Sequence, residues 1–214
     1  MARMSFDPRT YSTLADLRAG RWYLPASEEV AARHDEVARL LREFNALGNT
    51  EPARAEGLLR KIMPDSPHVP ETFAPLFLEY GHLSFGEGCF LNVNTVLLDV
   101  ADISFGARTL VGPGCQFITV GHPLHDVEMR RGGWEQARPI TVGEDCWFGA
   151  GVIVMPGVRI GDRCVIGAGA LVTKDIPDDS LALGSPARVV RTLTDGELER
   201  SQLPDGVPVT GQHV

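Results

Sequence analysis

The sequence predicts an all-β fold, a parallel β-helix preceded by a helical region, and three observations carry that reading. Val142, Phe148, Val154, Ile160, Ile166 and Val172 follow one another at intervals of six, and Gly143, Gly149, Gly161 and Gly167 stand directly behind four of them. The same interval recurs upstream in Phe105, Val111 and Phe117 and, more weakly, in Phe85, Leu91 and Leu97. Four residues after each apolar position the side chain is small or β-branched: Cys89, Thr95, Thr109, Cys115, Cys146, Val152, Val158, Cys164 and Ala170. A period of six matches neither the 3.6 of a helix nor a strand of simple alternation. It fits a chain that turns a corner every six residues, three sides to a coil, with one large side chain per side filling the interior. The small residue near each corner avoids the neighbouring side, and stacked coils join by parallel strand pairing.

The elements follow in order. Residues 1–70 are expected to be a helical region, with a helical pattern from Ala15 to Met63. Val30, Val37, Leu40, Leu41, Phe44 and Leu47 fall at spacings of three, four and seven behind the capping residue Ser27, and Glu28 and Glu29 occupy the first turn. Gly48-Asn49 should stop that helix, Ala55 to Met63 should form a shorter one, and Pro64, Pro67 and Pro70 should stiffen the crossing that follows. Residues 71–193 are assigned to the β-helix, whose repeat is clearest from Leu83 to Pro177. The one large interruption, 119–139, should be a loop thrown out of the prism. Residues 194–214, with Pro204 and Pro208, read as a poorly ordered tail.

Composition narrows the function. A chain of 214 residues with 43% hydrophobic and 22% charged residues can bury a core and is too apolar for disorder. Its net charge of -8 disfavours nucleic acid as a partner. No apolar run resembles a signal peptide or a membrane span, so no membrane association is expected. The four cysteines, Cys89, Cys115, Cys146 and Cys164, all take the small inward position, which fits buried thiols in a reducing cytoplasm. They have no C-x-x-C spacing, and no metal site is expected.

Candidate chemistry gathers where a rigid scaffold throws out a loop. His122, between Gly121 and Pro123 at the exit of a rung, has the residue type for a general base near neutral pH. His125 is a weaker candidate in the same loop. Asn92 follows inward Leu91 and should point outward from a corner, as should Asn94; Trp147 follows Cys146 at an outward position. Lys174, Arg188 and Arg191 place cations near the last coil, against the overall negative charge, as a phosphate-bearing ligand would require.

From Ala19 to about Arg191 the chain resembles the maltose, galactoside and nodulation-type sugar O-acetyltransferases of the hexapeptide-repeat acyltransferases. The resemblance rests on Arg18-Ala19-Gly20-Arg21-Trp22-Tyr23, Glu43-Phe44-Asn45, Leu91-Asn92-Val93-Asn94 with Leu98-Asp99, and Gly121-His122-Pro123. It continues through Asp145-Cys146-Trp147-Phe148-Gly149, the run Gly167 to Pro177, and Gly184-Ser185-Pro186-Ala187-Arg188-Val189. It implies a left-handed β-helix, a homotrimer with sites between subunits, acetyl-CoA as co-substrate and a sugar hydroxyl as acceptor. By position, His122 would be the general base and Asn92 its polar partner on the acceptor side, with Asp99 and Tyr23 also beside the acceptor. Trp147, Gly149, Gly167, Gly169, Thr173, Lys174 and Arg188 would contact the coenzyme. Leu24-Pro25 and Val100 stand where some members carry acidic residues, so the acceptor pocket should differ from theirs. An amino sugar or antibiotic acceptor is the alternative within acyl transfer. More remote readings are a non-catalytic β-helix scaffold and a zinc hydro-lyase, for which His82 and His68 are the available third ligands beside His122 and His125.

Overall fold

The computed structural model describes residues 12–194, 196–204 and 209. The expected hexapeptide-repeat β-helix is present, with three parallel-stranded sides. The first side stacks strands Leu83–Phe85, Ile103–Phe105, Ile140–Val142 and Arg159–Ile160. The second stacks Glu71–Thr72, Phe90–Leu91, Leu110–Val111, Trp147–Phe148, Val165–Ile166 and Ser180–Leu183, and ends in the antiparallel strand Arg188–Thr192. The third stacks Leu76–Leu78, Thr95–Leu98, Gln116–Ile118, Ile153–Val154 and Leu171–Val172.

The repeat explains the packing. Every large residue of the six-residue series is buried, among them Phe85, Phe117, Phe148, Ile166 and Val172 at 0% exposure. Phe85 stacks on Phe105 with ring centroids 4.9 Å apart, and Phe117 meets Phe105 and Phe148 edge-on, so the interior is a continuous column of rings and aliphatic groups. The four cysteines are buried, free thiols. Their Sγ atoms lie 3.0–3.1 Å from the carbonyls of Gly106, Gly149, Gly161 and Pro177 in the next coil. The glycines behind the large residues mark the closest approach of successive coils: a Cβ on Gly149 would meet the Ala168 nitrogen at 2.6 Å.

The outward faces differ. The second side presents Phe90, Leu110, Trp147, Val165 and Leu181 in one register, and the third presents Phe77, Val96, Gln116, Ile153 and Leu171. The first presents Ser84, Ser104, Thr141 and Arg159. Two sides are therefore largely apolar outside and one is polar.

The helical region departs from the sequence expectation in one useful respect. Helices α1 (Leu14–Arg18), α2 (Glu28–Leu47) and α3 (Pro52–Ile62) are present, and Ser27 Oγ accepts the Val30 N–H at the start of α2 as its pattern predicts. The intervening Trp22–Tyr23 is a strand, not part of a helical run. It pairs antiparallel with Glu135–Ala137, which pairs with Val120–Gly121. The excursion 119–139 is accordingly an ordered unit with two strands and helix α4 (Val127–Arg131), not a bare loop. Its alternation is too short to register as a strand pattern, because the partner that orders it lies over a hundred residues away. In the expected tail, residues 197–200 form helix α5; residues 1–11 and most of 205–214 lie outside the described residues.

Candidate functional site

His122 leaves the third side immediately after Val120–Gly121 and is about half exposed, with its side chain at 56%. Its Nδ1 lies 3.0 Å from the carbonyl oxygen of Trp134. A carbonyl can only accept, so in the neutral ring Nδ1 carries the proton and Nε2 carries the lone pair. Nε2 faces Glu135 Oε1 at 3.9 Å, too long for a hydrogen bond and close enough to steady an imidazolium. Glu135 Oε2 is taken by the Tyr23 hydroxyl, which donates to it at 2.8 Å. Arg130 closes the loop by donating to the carbonyls of Pro123 and Leu124, and Asp126 caps α4 through the Met129 N–H. The base-type nitrogen is thereby held at one angle by backbone and by buried neighbours.

Glu135 escaped the sequence reading. Nothing in Trp134-Glu135-Gln136 distinguishes it from a solvated surface residue until Tyr23 is known to be its cross-strand partner.

Two expected acceptor contacts are corrected. Asp99 is fully buried, and its carboxylate accepts four backbone N–H groups, from Glu79, Tyr80, Gly81 and His82, at 2.6–3.1 Å. It cannot touch an acceptor from there; it folds the 79–82 turn. Tyr23 is 1% exposed, packed with Leu17, Val30, Tyr80, Val100, Ala101 and Ala137, and its hydroxyl is committed to Glu135. Burial and the nearby Glu135 charge push its phenol well above the usual range, so it stays a donor. The turn that Asp99 builds carries Glu79, half-buried, whose carboxyl is pushed up to about 7 by burial and by the charges of Asp99 and Glu135.

Asn92 stands at the corner between the second and third sides. Its Oδ1 accepts the Val93 N–H at 2.8 Å and its carbonyl accepts the Thr95 hydroxyl. Among the described residues no contact joins Asn92 to His122. The reason is topological: Asn92 opens the third side and His122 follows its end, so a strand length of roughly 13 Å or more separates them within one chain.

Of the expected coenzyme residues, Trp147, Gly149, Gly167 and Gly169 lie at or beside the corner that Asn92 occupies. Asn92, Gly112, Gly149 and Gly167 are stacked coil on coil, each donating its N–H to the next coil. Gly149 and Gly167 are explained by packing, since their missing Cβ positions are filled by Ala168 and by the Leu183 side chain. Gly169 differs: its φ is +70° and the space where a Cβ would stand is open. Trp147 projects outward from the second side at 54% exposure. Exposed Thr173 and Lys174 follow Leu171–Val172, across the third side from that corner, whereas the Ala187 N–H donates to the Leu171 carbonyl, which brings exposed Arg188 to the corner itself. The corner is thus a side-chain-poor channel with Arg188 at one end.

Comparison with known proteins agrees with this geometry. Residues 17–66 match the maltose acetyltransferase hexapeptide capping motif, and residues 139–174 match the bacterial transferase hexapeptide repeats. A galactoside O-acetyltransferase of Lactococcus lactis is 36% identical over 179 residues, covering 83% of this chain and 86% of its own. The crystal structure of a maltose O-acetyltransferase from Clostridium difficile superposes with a TM-score of 0.81 at 32% identity, covering 85% of this chain and 97% of that one. A galactoside acetyltransferase in complex with coenzyme A gives 0.79 at 32% identity, covering 86% and 92%. The chain belongs to the maltose and galactoside O-acetyltransferase family of hexapeptide-repeat acyltransferases.

Proposed function

We propose that this enzyme transfers an acetyl group from acetyl-CoA to a hydroxyl of a sugar or sugar-like acceptor, directly, with His122 as general base. The observation that carries the reading is the fixed tautomer of His122, with its lone pair on the exposed Nε2 and Glu135 beside it. The thioester supplies an already activated acyl group. Nε2 takes the hydroxyl proton as the acceptor oxygen bonds to the thioester carbonyl carbon, Glu135 steadies the imidazolium, and the proton returns to the departing sulfur. The cysteines are buried in the prism with their thiols against carbonyls of the next coil, so an acyl-cysteine has no support.

The coenzyme is assigned to the corner channel, with Trp147 on its flank and the open corner at Gly169. Arg188 at that corner, and Thr173 and Lys174 across the third side in the last coil, are the groups we assign to its phosphates. A homotrimer is supported by two apolar outer sides and by Leu124, 85% exposed on the braced excursion, since such surfaces call for a partner. The partition of Asn92 and His122 to opposite ends of the third side gives the assembly its purpose, because one subunit's His122 can meet another's Asn92 only across an interface. No described helix is long and apolar enough to cross a membrane, and four free buried thiols suit the cytoplasm. The Glu135 carboxylate beside His122 would favour an amino sugar as the second reading.

The test is a panel of neutral and amino sugars assayed with acetyl-CoA, using wild type and His122→Ala. Acetylation that His122→Ala lowers by about 10²- to 10⁴-fold, with acetyl-CoA affinity kept, supports the assignment. Undiminished turnover in that variant removes His122 as the base.

A further inference from the structure

We infer that Tyr23, in the N-terminal segment, is a positioning residue for catalysis: its hydroxyl holds one oxygen of Glu135 so that the other faces His122. The inference rests on the reading of His122 as base and goes beyond it, because it gives the N-terminal segment a part in the chemistry.

The geometry is specific. Tyr23 and Glu135 are direct cross-strand partners in the antiparallel pair, and Trp22 partners Gln136. The Gln136 amide donates to the Gly20 carbonyl at 2.8 Å, so the segment grips the excursion at two successive residues. The central strand Glu135–Ala137 also pairs with Val120–Gly121, the two residues before His122. The segment therefore sets the angle at which His122 leaves the β-helix. Within this clamp the two carboxylate oxygens are divided. Oε2 receives the phenol at 2.8 Å and Oε1 lies 3.9 Å from His122 Nε2. A carboxylate free to rotate would lose that division.

Tyr23 is buried at 1%, so it acts through Glu135 and not on the acceptor. The charged and titratable groups around the pair are Glu79, Tyr80 and His82 from the 79–82 turn, Asp99 beneath them, His34 from α2 and, on the His122 side, Arg130 from α4. Of these, none donates a hydrogen bond to Glu135 in the structure, and Glu79 and Asp99 repel its charge. The phenol is what orients the carboxylate.

Tyr23→Phe keeps the ring in its cluster and deletes only the donor. The measurement is the pH profile of kcat/KM, with acetyl-CoA KM and thermal stability recorded alongside. The acid limb should move to lower pH by about half a unit, because a carboxylate no longer held by the phenol turns its charge away from His122 Nε2. The plateau should fall about tenfold, with acetyl-CoA KM kept. Glu135→Gln should move the limb the same way, and adding Tyr23→Phe to it should change little more. A lowered plateau with an unmoved limb would mean that Tyr23 serves only structure, and an unmoved limb in Glu135→Gln would overturn the inference outright. The underlying reading fails differently: His122→Ala would then retain the wild-type limb, whatever Tyr23→Phe does.

Discussion

Asp99→Asn separates a charged structural carboxylate from a site residue and can be worked from the structure. Each Asp99 oxygen accepts two backbone N–H groups: Oδ1 from Glu79 and Tyr80 at 2.7 and 3.1 Å, Oδ2 from Gly81 and His82 at 2.6 and 2.8 Å. Burial pushes this carboxyl up and the N–H donors pull it back. The donors should win, because a proton on either oxygen would point into a region already occupied by two N–H groups. Asparagine can satisfy one pair with its oxygen but turns its amide hydrogens toward the other pair. Losing two hydrogen bonds to a charged group costs about 3–6 kcal/mol. For a chain of this length that is a fall in Tm of roughly 6–24 °C. Differential scanning calorimetry with and without the substitution measures it, and Asp99→Ala should be worse because all four donors are stranded. A fall below about 2 °C in Asp99→Asn would refute the reasoning, since it would mean that the native carboxyl is already protonated.

Two further outcomes are expected. Gly106→Ala should cost about 2–3 kcal/mol, because its Cβ would overlap the Glu144 backbone nitrogen of the next coil. Gly114→Ala, where φ is +70° but the space is open, should cost only about 1 kcal/mol, and equal losses by urea denaturation would contradict this view of coil packing. Glu79 has a folded pKa of about 7 against an ordinary 4.5, so the folded state holds its proton more tightly than the unfolded one. Stability should therefore fall as pH rises between those values. Glu79→Gln should remove that part of the decline, and an identical pH dependence in wild type and variant would show that Glu79 is not the group.

The parts of the fold that repeat were legible, and the parts that depend on one distant partner were not. Phe85, Phe105, Phe117 and Phe148 announce the prism because each obeys the same local rule, one large inward residue every six. Ser27 announces α2 because a cap acts within a turn. Trp22–Tyr23 and Glu135–Ala137 are strands only because they find each other, and strands of two and three residues leave no periodic trace. The site divides in the same way. His122 was visible through Gly121 and Pro123, whereas Glu135 was hidden, and Asp99 and Tyr23 drew attention as polar residues in matching motifs although their polar atoms are spent inside the chain. Gly149 and Gly167 carry the same lesson, since coil packing already requires them to be small.

The central claim is that the site is built across subunits, with His122 from one chain and Asn92 from another. Subunit complementation tests it most directly. His122→Ala and Asn92→Ala chains, each impaired alone, are co-expressed with different tags, and the doubly captured assemblies are assayed for acetyl transfer against wild type. If the two residues meet between chains, about one site in three is restored, because every mixed trimer, whether 2:1 or 1:2, has one junction at which an intact His122 meets an intact Asn92. If both residues act within one chain, every site keeps one defect. Activity no higher than the sum of the two variants, in assemblies shown to contain both chains, would contradict the account.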